Sequence, residues 1–107
     1  MIEDIRVVFV SMPREEAREM SKGIVENRLA ACVNIVPKIE SYFQWEDKVE
    51  FDEEALLIIK TTKKKFIALK EYVLENHPYE LPEIIAVTLA DALPEYAAYV
   101  KTETEKE

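Results

Sequence analysis

One glycine in 107 residues is the most pronounced shortage in this chain, against a usual share of about 7%. Turns that need positive φ must therefore use other residues, and flexible glycine linkers are excluded. Asparagine and glutamine together number four, while glutamate and lysine are abundant. That profile resembles proteins from hot environments, so a thermostable fold is expected. The single cysteine excludes an intrachain disulfide and suits a reducing compartment. No apolar run reaches the ~18 residues of a membrane span, and the start, MIEDIRVVFVSM, is acidic where a signal peptide would be basic. A cytoplasmic protein is expected. The net charge of −8 argues against a nucleic-acid binder, which normally presents a basic face. Also missing are a glycine-rich phosphate loop, HExxH, CxxC and a nucleophile elbow, so no enzyme is expected. The length fits one compact domain, residues 1–107.

What is present reads as alternating strands and helices. Ile5 to Ser11 is a β-branched apolar run and reads as a buried strand. Ser11 and Pro13 signal a helix start, and Ala17, Met20 and Ile24 recur at helical spacing to about Leu29. Cys32 to Trp45 is extended, with a bulge or edge position implied by Pro37; Glu46–Asp47–Lys48 is a turn, and Val49 to Thr61 is the returning strand. Thr62 caps a helix from about Lys63 to Asn76. Ile84 to Leu89 is a last strand, Pro94 opens a last helix, and Glu103 to Glu107 is expected to fray. The order β-α-β-β-α-β-α matches the split βαβ, or ferredoxin-like, α+β arrangement: a four-stranded antiparallel sheet with two helices on one face, plus a C-terminal helix.

The hairpin of the second and third strands is too long for its own domain. At about 3.3 Å per residue, strands of ~13 residues span over 40 Å, whereas a globule of this length has a radius of gyration near 13 Å. Either it bends sharply at Pro37 or it projects, carrying Tyr42, Phe43, Trp45, Val49 and Phe51 into solvent. Exposed aromatics on an open edge aggregate unless another chain covers them. Self-assembly is the expected remedy.

The segment Asn76–His77–Pro78–Tyr79–Glu80–Leu81–Pro82–Glu83 holds the one histidine and joins a helix to a strand. Pro78 disfavours helical dihedrals at His77, which presents the imidazole on a stiffened connection. An imidazole there suits copper, zinc or nickel, with Glu80 and Glu83 as added oxygen donors. The competing role is a structural histidine at a helix C-terminus, which the dipole favours. Cys32 offers a soft thiolate, set against the burial typical of free cysteine; a Cys32–His77 nucleophilic dyad lacks an orienting third group. Lys60 ends an apolar strand and needs solvent or an acidic partner. Lys63, Lys64 and Lys65 oppose the dipole at a helix N-terminus, which solvent, an anion or acids of another subunit would relieve.

RLAACVNIVP (Arg28 to Pro37), SYFQWEDK (Ser41 to Lys48), IIKT (Ile58 to Thr61) and HPYELPEI (His77 to Ile84) occur in an order and spacing that resembles the CutA divalent-cation tolerance proteins. The resemblance covers nearly the whole chain. It implies a ferredoxin-like subunit assembled through its sheets into a homotrimer, a cytoplasmic role in tolerance of copper and other divalent metals, and no catalysis. Where some relatives use a cysteine and two histidines, this chain reads Val10, Asn76 and His77. The expected metal ligands are His77, Glu80 and Cys32, with Cu(II) or another divalent cation as a non-obligatory guest. Trp45, Glu54, Lys60 and Tyr79 are expected to line a pocket between subunits. The alternative function is a trimeric sensor or scaffold like the nitrogen-regulatory PII proteins, with small anions in the intersubunit clefts.

Overall fold

The computed structural model describes residues 2–107. Its elements are β1 (Ile5–Met12), α1 (Ala17–Glu26), β2 (Cys32–Trp45), β3 (Lys48–Thr62), α2 (Phe66–Asn76), β4 (Ile84–Thr88) and α3 (Pro94–Glu105), with short 3-10 turns at Ile2–Asp4 and Arg14–Glu16. The strands form one antiparallel sheet in the order β2-β3-β1-β4. This is the expected ferredoxin-like α+β arrangement.

Strand alternation divides the side chains between two faces. Val8, Val10 and Met12 of β1 join Ala55, Leu57 and Ile59 of β3 beneath α1 and α2, which contribute Met20, Ile24, Leu69 and Val73. The opposite face presents Val7, Phe9, Leu56 and Ile58, with Ile85 and Val87 from the edge strand β4. Helix α3 covers only one end of it, where Ala97 and Val100 pack on Ile5 and Ala31. Ile85 is left 52% exposed, so an apolar strip of sheet faces water.

The β2–β3 hairpin projects. Every residue from Tyr42 to Glu53 is exposed, Tyr42 at 72% and Val49 at 67%. The molecule measures 44 × 27 × 22 Å. Folding back onto the core, the other option left by Pro37, does not occur; instead the β2–β3 register shifts between Val36 and Ile39, a bulge at the proline. Tyr42 and Phe51 pair across the hairpin with ring centroids 4.9 Å apart.

Boundaries differ from the sequence expectations at three helix ends. The first helix opens with a 3-10 turn and stops at Glu26, because Arg28 takes a left-handed conformation (φ 60°) and wraps the last carbonyls. The second begins at Phe66 rather than Lys63, with the Lys65 amide donating to Thr62 Oγ1 at 3.2 Å. The tail from Glu103 is not frayed up to Glu105: Thr104 is buried, and Glu103 accepts from Arg28 through its carbonyl and its carboxylate. The turn at Glu46–Asp47 puts both residues at positive φ (50° and 65°), the twist that two-residue hairpins prefer.

Gly23, the sole glycine, lies on α1 against the Tyr72 side chain of α2. A Cβ there would overlap Tyr72 Oη and press on the ring carbon behind it at 3.1 Å. Overpacking of this kind costs about 1–3 kcal/mol, more than the ~1 kcal/mol that alanine gains over glycine in a helix. Gly23→Ala should therefore lower the denaturation midpoint. In a Tyr72→Phe background the same substitution should lose at least half of that penalty, as read in a double-mutant cycle by urea unfolding.

Candidate functional site

The loop after α2 is tied down by its own polar groups. Pro78 forces His77 out of the helix into an extended conformation (φ −98°, ψ 133°). The imidazole, only 8% exposed, turns inward onto the end of β1. Nδ1 accepts the Tyr79 amide at 3.2 Å, so Nε2 carries the hydrogen and donates to the Ser11 carbonyl at 2.8 Å. Both ring nitrogens are engaged with backbone.

The next links run through Tyr79 and Glu83. Tyr79 stacks obliquely on His77, centroids 4.7 Å apart, and donates from Oη to Glu54 Oε2 at 2.8 Å. Ser11 Oγ donates to Glu83 Oε1 at 3.2 Å. The loop is thus stitched to β1 and to β3 by neutral donors. Burial pushes the Tyr79 hydroxyl well above its ordinary range, and the hydrogen-bonded Glu54 carboxylate, with Asp52 behind it, pushes it further.

Between this loop and the projecting hairpin lies an open cleft of about 830 Å³. Six carboxylates line it, from Glu40, Glu50, Asp52, Glu54, Glu80 and Glu83, and no lysine or arginine does. Glu50, Asp52 and Glu54 alternate along β3, so strand geometry aims all three to one side about 7 Å apart. Each such pair repels by about 0.6 kcal/mol even in water. Glu54 is only 5% exposed, and its partner is a phenol, not a cation. Tyr42, Phe43, Trp45 and Phe51 supply apolar walls. The cleft attracts positive charge and repels anions.

Trp45, Glu54 and Tyr79 therefore share one cleft, and Glu80 joins them. Lys60 does not. It lies at the other end of β3, where its ammonium bonds the Asn34 side chain and the Ile58 carbonyl. Cys32 stands opposite Lys60 in the β2–β3 register, half-buried, with Tyr96 of α3 against it; burial and then Cys32 raise the Tyr96 pKa. Lys60 in turn opposes Val7, four residues along β1 from the Ser11 that His77 holds, or about 13 Å at strand rise. His77, Glu80 and Cys32 are not brought together, nor is a Cys32–His77 dyad formed. Among the described residues, no three His, Cys, Asp or Glu side chains converge tightly enough to enclose a metal ion. Glu40, Glu50, Asp52 and Ser11 were not expected in the site. The period-two acids of β3 were the signal that would have revealed them.

A family model described as the CutA1 divalent ion tolerance protein matches residues 6–103. A divalent-cation tolerance protein CutA from Thermus thermophilus is 46% identical over 99 residues, 92% of this chain and 96% of that one. The mouse protein CutA is 42% identical over 102 residues, 94% of this chain and 58% of its own length. The chain thus spans nearly the whole bacterial relative and little more than half of the mammalian one. Among solved structures, the PII-like protein CutA from Nostoc in apo form superposes with a TM-score of 0.88 at 30% identity, covering 94% of this chain and 97% of that one.

The Tyr79–Glu54 bond has a pH signature. A folded-state pKa raised above the unfolded value gives stability that is whole below about pH 10 and is lost as pH rises toward the folded value. The wild-type protein should therefore lose stability in alkali above about pH 10, and Tyr79→Phe should flatten that loss while costing about 1 kcal/mol at neutral pH. Denaturant unfolding followed from neutral pH into alkali measures both.

Proposed function

This chain belongs to the CutA1 divalent ion tolerance family, and from that premise we propose that it works in divalent-cation tolerance as a cytoplasmic homotrimer that takes up cations weakly and catalyses nothing. The observation that carries the reading is the cleft with six carboxylates and no basic residue. Its donors are oxygens, which suit hard divalent cations such as manganese or magnesium better than copper. The one imidazole near it has both nitrogens occupied, so to ligate copper His77 would have to release either the Ser11 carbonyl or the Tyr79 amide. Glu80 is the expected metal ligand that lines the cleft. His77 holds the loop that carries it. The carboxylates do not close around one point, which argues for weak, exchangeable binding of the cation as cargo.

Trimerisation is proposed from the surface left uncovered. The apolar strip of half-buried Phe9, Leu56 and Ile58 with exposed Ile85, and the exposed rings of the hairpin, are the surfaces a neighbouring subunit would cover. A neighbour seated there would also wall the cleft, making it intersubunit. The PII-like alternative, with a small anion in that cleft, is opposed by the carboxylates; the likeness to a PII-like CutA concerns the fold.

Sedimentation equilibrium should give a mass of three times 12.5 kDa at micromolar concentration; a stable monomer overturns the assembly. Mn(II) and Cu(II), but not nucleotides or small carboxylates, should raise the melting temperature. The Asp52→Asn/Glu80→Gln/Glu83→Gln variant should weaken Mn(II) binding by about tenfold in calorimetry, while His77→Ala, which removes no ligand and only loosens the loop, should weaken it less. Stabilisation by an anionic metabolite alone would favour the sensor. The metal-free trimer should melt above the ~45–65 °C usual for mesophile domains, as its composition predicts.

A further inference from the structure

Helix α2 is apolar on two sides. Leu69 and Val73 are fully buried on the sheet, which accounts for one. On the other, Ile67 is 65% and Leu74 is 51% exposed, seven residues apart with exposed Lys70 between them. Spacings of three and four residues put Ile67 and Leu74 in one row along the helix, with Lys70 on one edge of it and Glu71 on the other. The turn leading into α2 adds Lys63 and Lys64, both exposed, at the start of that row. Helix α1 has no such second stripe: opposite its buried Ala17, Met20 and Ile24 it exposes Arg18, Glu19, Lys22 and Glu26.

The charges along the row are unspent. In a chain with 22 acidic residues, none of Lys63, Lys64 or Lys70 lies within 4.0 Å of a carboxylate among the described residues. Lys70 instead reaches back over the Phe66 ring, 5.8 Å from its centroid. Single exposed aliphatics need no explanation. An aliphatic pair at heptad spacing, with Lys70 on one edge, Glu71 and Glu75 on the other and unpaired lysines at its head, is a seam for another helix. It lies on the helical side of the sheet, away from the strip proposed for trimerisation.

We propose that the outer face of α2 docks an amphipathic helix of a partner protein whose apolar residues meet Ile67 and Leu74 and whose carboxylates meet Lys63 and Lys70. Charge complementarity selects this occupant. An antiparallel second α2 would set the lysine edge against the lysine edge and Glu71 against Glu71 in the same seam. An anionic membrane or a nucleic acid would meet Glu71 and Glu75, exposed beside the stripe, and the net charge of −8 of the chain. Those two glutamates also fix the partner's orientation, since only one of its edges can be acidic.

The test uses the full chain and two synthetic three-heptad peptides, with leucine at one seam position and either glutamate or lysine at the other, followed by fluorescence anisotropy. The glutamate peptide should bind saturably and the lysine peptide should not. Ile67→Asp and Leu74→Asp should each weaken binding by about tenfold without lowering the melting temperature, because both side chains are exposed. Lys63→Glu/Lys70→Glu should transfer the preference to the lysine peptide. No binding of either peptide, binding indifferent to Ile67 and Leu74, or no transfer on charge reversal overturns the proposal. So does co-sedimentation with phosphatidylserine vesicles that needs Lys63 and Lys70 while the glutamate peptide fails to bind.

Discussion

The β2–β3 hairpin is longer than the domain that grows it, and the rest of the molecule is shaped by that mismatch. A sheet of this size can cover only the inner half of two strands of 14 and 15 residues. The outer half must be held by cross-strand pairs alone, such as Tyr42 on Phe51. Because the arm leaves the globule beside the loop after α2, a concavity opens between them. Its walls are whatever the arm and the loop carry, which here is rings and acids.

The loop is rigid enough to form the second wall because its polar groups point inward. A histidine with both nitrogens satisfied by backbone is worth more to the architecture than to ligand chemistry. The same economy governs Glu54, whose buried charge is shared only with a phenol. A carboxylate so placed adds to the negative field of the cleft, and a field of that sign attracts cations and repels anions.

Much of this architecture is legible in the sequence. The element order, the bulge at Pro37 and the projecting arm come from period and length, which are local properties of the chain. Trp45, Glu54 and Tyr79 are recognisable as companions because the blocks that hold them match a known family. Within one subunit Lys60 stands apart from them for a physical reason. It lies six residues from Glu54 on the same strand, and a fully extended strand carries two such positions about 20 Å apart. His77 can be read as ligand or as strut from its sequence, which does not show that both its nitrogens are hydrogen-bonded to backbone. The early end of α1 is hidden because a left-handed residue is expected to be glycine, and Arg28 takes the place.

The hairpin tip shows the consequence of doing without glycine. Asn-Gly is the dipeptide that most readily makes such a turn, yet here Glu46 and Asp47 adopt it, each against a steric penalty of about 1 kcal/mol. The tip therefore carries no side-chain amide to hydrolyse during long exposure to heat. A slightly tense bend becomes a chemically durable one, on the segment that water reaches first.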